Sequence, residues 1–362
     1  MSVELGERSY PVVVTGEGFQ GLGEALLSVL PLTQRVVVVT NDTVWPLFAE
    51  SITASIAMKG ISVVPIVLPD GEQEKSMARW RDLVVQMLDL GIDRQTPVLA
   101  VGGGVVGDLA GFAAATVMRG VPFVQVPTSL LSMVDSSVGG KTAINTRHGK
   151  NLVGAFHQPR LVYVSTKALD HLPENEFRSG LGEVVKHGVL ADPVLFERCR
   201  TEGSSIMRRE PDIIQDLVAR SIEVKAKVVA EDERESGWRA VLNLGHTVGH
   251  AIETTLMGSS NALPHGICVA IGVVAEVAWA KEQGACTQKT VTAVRDVFDG
   301  LNLPTTPPAV DVGTVLDAVR FDKKVRRGTL TIPVVEEIGR VRLVDVKLDD
   351  CPDLFHSIPG FS

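Results

Sequence analysis

Residues 98–108 read Val-Leu-Ala-Val-Gly-Gly-Gly-Val-Val-Gly-Asp, and this stretch decides how the chain folds. Residues 98–101 form a short apolar run suited to a buried strand, which stops at Gly102-Gly103-Gly104. Gly102, Gly104 and Gly107 satisfy G-x-G-x-x-G, and residues 109–118 continue as a helix of small side chains. Glycines at a strand end let the backbone turn sharply, and the first N–H groups of the next helix can then meet a phosphate. The same residues also suit a plain tight turn. The acidic residue expected about twenty positions on is absent, because that region reads Val126-Pro127-Thr128-Ser129.

Strand and helix patterns alternate on the N-terminal side. Residues 10–15, 35–40 and 61–68 read as strands, and 19–30, 44–58 and 76–90 as helices. Such alternation predicts a mostly parallel sheet with helices on both faces. Binding residues in such sheets lie on loops leaving the carboxyl ends of strands. Asp42, the loop of Asp70, Gly71, Glu72 and Lys75, the turn at Gly102 to Asp108, and Thr128-Ser129 all qualify. Asp42 equally suits a helix cap, and Glu72 with Lys75 an ordinary solvent pair.

After a last strand at 161–165 the pattern changes. Residues 174–189, 193–201, 211–232, 238–256, 264–283 and 287–301 read as helices, followed by a hairpin at 329–334 and 341–344 and a short closing helix. This predicts an α/β N-terminal domain over 1–172 and a mostly α-helical domain over 173–362. Hydrophobic residues make up 45% of the 362, enough for a substantial core, while aromatics at 5% argue against a sandwich. The net charge of −8 argues against a general nucleic-acid partner. Cys199, Cys268, Cys286 and Cys351 are widely spaced with no C-x-x-C pair, which fits a reducing cytoplasm. The N-terminus lacks a signal-peptide pattern, and the apolar run 267–280 is too short and too interrupted to span a bilayer.

The helical half holds candidate metal ligands at Glu183, His246 and His265. His246 and His250 stand four apart and share a helix face. One carboxylate and two imidazoles with an open fourth position suit a catalytic zinc ion, and histidines so spaced also suit a hydrogen-bonded core. Glu183 and Lys186 could equally be a surface pair. Arg119, Lys141, Lys150, Lys186, Lys225, Arg239, Lys323 and Lys324 supply basic groups near these motifs.

Assembled in order, the motifs LGERSYPV (5–12), LPDGEQEKS (68–76), GGGVVGDLAGFAAAT (102–116), RGVPFVQVPTSLLSMVDSSVGGKTAIN (119–145), GKNLVGAFHQP (149–159), GLGEVVKHG (180–188), KAKVVAEDERE (225–235), LNLGHTVGHAIE (242–253), PHG (264–266) and DKK (322–324) resemble the 3-dehydroquinate synthase family over essentially the whole length. The resemblance implies a Rossmann-like domain followed by a helical one, NAD as a recycled cofactor, and a divalent metal, zinc with cobalt as alternative. It implies conversion of 3-deoxy-D-arabino-heptulosonate 7-phosphate into 3-dehydroquinate and phosphate by transient oxidation, phosphate elimination, re-reduction and aldol closure.

Carried over by motif, Glu183, His246 and His265 hold the metal. Asp42, Asp70, Gly71, Glu72, Lys75, the turn Gly102, Gly103, Gly104, Val105, Val106, Gly107 and Asp108, and Thr128, Ser129, Lys141 and Lys150 hold NAD. Asp135, Lys141, Asn151, Lys186, Lys225, Arg239, Asn243, His250 and Lys324 surround the substrate. Arg119 reaches the phosphate in the neighbouring subunit of a homodimer. Two residues depart from the family pattern: Ile267 replaces a common glutamate after His265-Gly266, removing a carboxylate expected to support the metal, and Ser129 replaces threonine while keeping the hydroxyl. A sugar-phosphate cyclase acting on a sedoheptulose 7-phosphate-like substrate, a metal-dependent polyol dehydrogenase and a catalytically silent regulator are the rival readings.

Overall fold

Val36, Val37, Val38 and Val39 are all fully buried, so the strand carrying them is covered on both faces. The structure is a computed structural model and describes residues 1–308, 313–315, 318 and 328–347. Its strands are β1 (Ser2–Val3), β2 (Tyr10–Thr15), β3 (Arg35–Asn41), β4 (Ser62–Leu68), β5 (Val98–Gly102), β6 (Phe123–Pro127), β7 (Lys141–Thr146), β8 (Gly149–Phe156), β9 (Leu161–Ser165), β10 (Thr329–Glu337) and β11 (Arg340–Lys347). The helices are α1 (Leu22–Val29), α2 (Trp45–Ala57), α3 (Met77–Asp89), α4 (Gly104–Thr116), α5 (Glu174–Ala191), α6 (Pro193–Thr201), α7 (Gly203–Met207), α8 (Pro211–Glu231), α9 (His246–Leu256), α10 (His265–Glu282) and α11 (Gln288–Gly300). Met1–Leu172 with Ile214–Ala230 forms one compact unit; Pro173–Ile213 with the chain from Glu231 onward forms the other.

In the first unit seven strands lie in the order β1-β2-β9-β6-β5-β3-β4. Every neighbouring pair is parallel except β1 with β2. Val37 and Val39 share a core with Leu83 and Met87 of α3 and Leu109, Ala110 and Ala113 of α4; Val36 and Val38 face the opposite side. The chain leaves β3 for β4 in one direction and returns on the other side of β3 to form β5. Loops after β3 and β5 therefore diverge at a topological switch point, where open parallel sheets bind ligands.

Two elements here depart from the sequence expectation. Helix α4 begins at Gly104, well before residue 109, because Gly103 is extended as its cap and the Gly107 N–H already bonds to the Gly103 carbonyl at 3.0 Å. The antiparallel hairpin β7–β8 was not expected. Much of β8 is exposed and it carries Gly149 and Gly154, so it lacks the apolar alternation that marks a strand.

In the second unit α10 is buried along most of its length and packs on α5, α9 and α11. The single helix expected over 238–256 is interrupted. Trp238–Asn243 is a 3-10 turn, and Gly245 has φ +77, a conformation that favours glycine. Helix α9 starts immediately after it, at His246. The hairpin β10–β11 is present, and the closing helix lies outside the described residues. No helix among the described residues is long and apolar enough to cross a membrane.

Candidate functional site

In the first unit the glycine turn sets a helix start beside the hydroxyls of Ser129 and Ser136. A Cβ on Gly102 would sit 2.8 Å from the branched Val106 side chain, so packing there favours glycine, while one on Gly107 would sit 2.9 Å from Gln125 Oε1, an amide end that can shift. A Cβ on Gly103 would meet nothing nearer than Ser129 Oγ at 3.5 Å, and one on Gly104 nothing nearer than Ser136 Oγ at 3.2 Å. The first N–H groups of α4, including those of Val105 and Val106, have no acceptor earlier in their own helix. Backbone donors at a helix start beside glycines suit a pyrophosphate.

The loop after β4 is tied down beside this turn. Asp70 accepts from Asn41 Nδ2 at 2.7 Å, from Thr43 Oγ1 at 3.0 Å and from the Gly71 N–H at 2.8 Å. Asn41 accepts the Val44 N–H at 2.8 Å in the turn that precedes α2, a helix whose start has no side-chain cap, and Asp42 is left exposed. Glu72 and Lys75 are no solvent pair. Lys75 is buried against Asp108, while Glu72 accepts from Asn145 Nδ2 at 2.7 Å. Burial pushes the Asp108 carboxyl above its ordinary range, and the adjacent ammonium of Lys75 opposes that rise. Thr128 donates its backbone N–H to the Gly102 carbonyl at 3.0 Å, and the hydroxyls of Ser129 and Ser132 lie 2.9 Å apart.

The same unit carries several of the residues expected to meet substrate. Asp135 sits in a π-helical turn, Ser132–Ser136, a form often found at functional sites. Lys225 of α8 is buried and donates to the Asp135 carbonyl at 2.6 Å and to its carboxylate. Lys141, Lys150 and Asn151 are exposed on the β7–β8 hairpin. Arg119 is exposed at φ +66, directly after Met118 at φ +50, a tight left-handed corner at the end of α4.

In the second unit three helices bring four groups together. Glu183 on α5 is fully buried, and its Oε1 lies 3.6 Å from His246 Nε2 on α9 and 3.7 Å from His265 Nε2 on α10. Edges of a tetrahedron with bonds of about 2.1 Å measure about 3.4 Å. Glu183 Oε1 thus stands at near-chelate spacing from each imidazole, and ring nitrogens of His246, His250 and His265 lie within 4.8 Å of one another, a group that could hold a divalent cation. His250 joins the cluster, with a ring centroid 5.0 Å from that of His246 and 5.5 Å from that of His265. Lys186 is buried beside Glu183, pairs with its other oxygen and donates to the Leu242 carbonyl at 2.9 Å, so the surface-pair reading fails.

Close helix crossings create this convergence. A Cβ on Gly182 would lie 2.1 Å from the Gly266 carbonyl, and one on Gly266 would lie 1.8 Å from the Ser179 carbonyl. Two facing glycines thus let α5 and α10 touch backbone to backbone, which sets His265 against Glu183.

Two carboxylates that sequence reasoning passed over hold the histidines. Glu253 Oε2 lies 3.0 Å from His265 Nδ1. Ile267 is itself buried in α10, and the carboxylate beside His265 comes from Glu253 on α9. Glu276 is buried and accepts the N–H groups of Gly245 at 2.7 Å and Thr247 at 3.2 Å, capping α9 at His246. A lone acid inside the apolar run 267–280 was the available signal. Burial would lower the pKa of the His265 ring, but hydrogen bonds and charges from Glu183 and Glu253 raise it to about 9.

Arg239 is buried in the 3-10 turn and donates to the Glu233 carbonyl; Asn243 closes the same turn, half-buried. Asp232 organises this loop by accepting the N–H groups of Ser236, Gly237 and Arg239. Lys324 lies outside the described residues.

A switch-point glycine turn on a parallel sheet and a carboxylate-histidine cluster on crossing helices define a class: proteins built for a dinucleotide and a divalent ion. Known proteins narrow it. Residues 65–179 match the 3-dehydroquinate synthase N-terminal family and residues 180–325 the 3-dehydroquinate synthase C-terminal family. A 3-dehydroquinate synthase of Pelobacter propionicus is 43% identical over 346 residues, 96% of each chain. Among solved structures, 2-epi-5-epi-valiolone synthase from Streptomyces hygroscopicus subsp. jinggangensis, with NAD+ and Zn2+ bound, is 28% identical with a TM-score of 0.87, covering 98% of this chain and 97% of that one. A 2-deoxy-scyllo-inosose synthase complexed with carbaglucose-6-phosphate, NAD+ and Co2+ shares the fold at 23% identity and a TM-score of 0.88, covering 99% of each chain. The chain belongs to the 3-dehydroquinate synthase family.

Proposed function

We propose that this chain converts 3-deoxy-D-arabino-heptulosonate 7-phosphate into 3-dehydroquinate and phosphate, a phosphate-eliminating lyase step in aromatic amino-acid biosynthesis. The observation that carries the reading is the approach of His246 and His265 to one oxygen of Glu183, in a chain of this family. When bound, NAD supplies reversible oxidation of a secondary alcohol, and a divalent ion, zinc or in its place cobalt, supplies Lewis acidity to the neighbouring hydroxyls.

The chain's own residues do the remaining work. Glu183 Oε1, His246 Nε2 and His265 Nε2 hold the ion. The turn from Gly102 to Asp108, the loop from Asp70 to Lys75, Asp42, Thr128, Ser129 and Lys150 hold the cofactor. Lys141, Asn151, Lys225, Arg239, Asn243, His250 and Lys324 bind the sugar phosphate, with Lys186 and Asp135 beside them. Fixed cations stabilise the charge that gathers on phosphate as it departs, and fixed orientation favours the intramolecular closure that follows. In this reading residues 1–172 serve the cofactor and also contribute Asp135, Lys141 and Asn151 to the substrate, while 173–362 serve the metal and substrate. The protein works as a cytoplasmic homodimer, with Arg119 reaching the phosphate bound by the neighbouring subunit.

The test is incubation of metal-loaded protein with the heptulosonate phosphate and sub-stoichiometric NAD, following both products. Phosphate and 3-dehydroquinate in equal amounts, exceeding the NAD supplied, support the proposal. Their absence from folded, metal-loaded protein overturns it. The rival reading as another sugar-phosphate cyclase makes a sedoheptulose 7-phosphate-like sugar the comparison substrate. Lys225, Arg239 and Asn243, being all present, favour the carboxylated sugar.

A further inference from the structure

Asn145 is the hub of the region around Glu72. Its side-chain Nδ2 donates to Glu72 Oε1 at 2.7 Å, and its Oδ1 accepts the backbone N–H of Asn151 at 3.1 Å. Its own backbone N–H goes to the Lys75 carbonyl at 2.8 Å. Lys75 in turn is the partner of Asp108 on α4. One residue thus touches both arms: the loop after β4, and the part of β8 that carries Lys150 and Asn151.

The hairpin register explains how this is possible. Ile144 pairs with Val153 and Thr146 pairs with Gly149, so Lys150, Asn151 and Leu152 stand opposite Asn145 alone. Bulged residues leave regular ladder bonding and are re-aimed. Here the N–H of Asn145 turns out of the hairpin, making a parallel bridge beside Ser76. Within the bulge Asn151 takes φ +56, a left-handed conformation tolerated by asparagine and held by the Asn145 amide oxygen. A carboxamide carries a donor and an acceptor in one rigid plane. An alkyl side chain has neither, so it would free Glu72 and Asn151 together.

We infer that Asn145 is a positioning residue that couples Glu72 of the cofactor loop to the Lys150–Asn151 bulge of the substrate-facing hairpin. The inference rests on the cofactor reading above for Glu72. It makes cofactor affinity and hairpin order two readouts of one amide. Coupling between sites is reciprocal, so disturbing either arm is felt on the other.

Two measurements that need no turnover test it. In NAD-free protein, Glu72→Ala accelerates hydrogen exchange at the Asn151 amide several-fold, although Glu72 has no hydrogen bond to Asn151, and Asn145→Ala does the same. By calorimetry with NAD alone, Asn145→Ala weakens binding about tenfold, within the usual range of coupling between sites, while circular dichroism and melting temperature stay near wild type. Wild-type exchange at Asn151 in Glu72→Ala overturns the coupling, as does NAD affinity within twofold of wild type in folded Asn145→Ala. If the unaltered protein fails to process the heptulosonate phosphate, the substrate assignment falls, and the exchange result still decides the role of Asn145.

Discussion

His265 Nδ1 lies 3.0 Å from Glu253 Oε2, while the Nε2 of the same ring faces Glu183 Oε1 at 3.7 Å. A carboxylate behind an imidazole fixes the tautomer and the ring plane and raises the basicity of the far nitrogen. In the proposed metal site Glu253 therefore acts through the His265 ring. Glu253→Ala is expected to weaken Zn2+ binding about 10–100-fold, read by competition with a chromophoric chelator, with Glu253→Gln intermediate because its amide oxygen still accepts. Equal affinity in all three proteins would remove Glu253 from the site.

Metal removal has a matching thermodynamic signature. A ligand at one hundred times its Kd stabilises the folded state by about 2.7 kcal/mol. Chelation should lower the melting temperature of the wild-type protein and leave Glu183→Ala unmoved. A wild-type melting temperature indifferent to zinc would contradict the site.

Gly266 allows α10 to meet α5. The Cβ of Gly266→Ala would sit 1.8 Å from the Ser179 carbonyl, so the helices must separate. Loss of about 3 kcal/mol is expected for such overpacking, with weaker zinc binding because His265 moves away from Glu183. Urea denaturation and the chelator assay check both parts; unchanged zinc affinity would show that the crossing does not set the histidine.

Glu276 caps α9 from inside the protein. Its buried carboxylate accepts two backbone N–H groups at the turn that carries His246. Glu276→Gln keeps the size but removes the charge and turns an NH2 toward a donor. A cost of about 2–3 kcal/mol in urea denaturation is expected, the range of hydrogen bonds to charged groups. A stability equal to wild type would refute the cap.

Asp232 gives a pH dependence. Burial acts to raise its pKa, but the N–H groups of Ser236, Arg239 and Gly237 and the Ser236 hydroxyl outweigh that and hold it well below the ordinary carboxylate range. A depressed pKa stabilises the fold above the unfolded value of about 3.9, and that contribution fades as pH falls below it. Asp232→Asn should therefore be less stable than wild type by about 2 kcal/mol at pH 7, with the gap persisting at pH 5 and narrowing below pH 4. A gap independent of pH would mean that the charge is irrelevant.

Much of this was legible along the chain because local patterns carry it. The apolar run ending at Gly102 to Gly104 specified a strand, a turn and a helix start, since strand burial and glycine conformational freedom are properties of adjacent residues. The strand-helix alternation up to residue 165, the helical run after 173 and the late hairpin were readable for the same reason. His246, His250, Glu183 and His265 could be nominated from spacing and family motifs, though spacing alone suited a hydrogen-bonded core histidine pair better.

Partnerships between distant residues were not legible, because they depend on which backbones approach. Lys75 could not be assigned to Asp108, nor Glu72 to Asn145, until parallel strands and the unforeseen β7–β8 hairpin placed them together. Glu253 and Glu276 became supports of His265 and His246 only where α9 and α10 pack on one another. The sequence alone determined the layered α/β architecture, the helical second half and the chemical types available at each site. Tertiary structure decided which carboxylate meets which histidine, lysine or amide, since hydrogen bonds and metal spacing act over about 3 Å and only glycine-lined crossings bring remote segments that close.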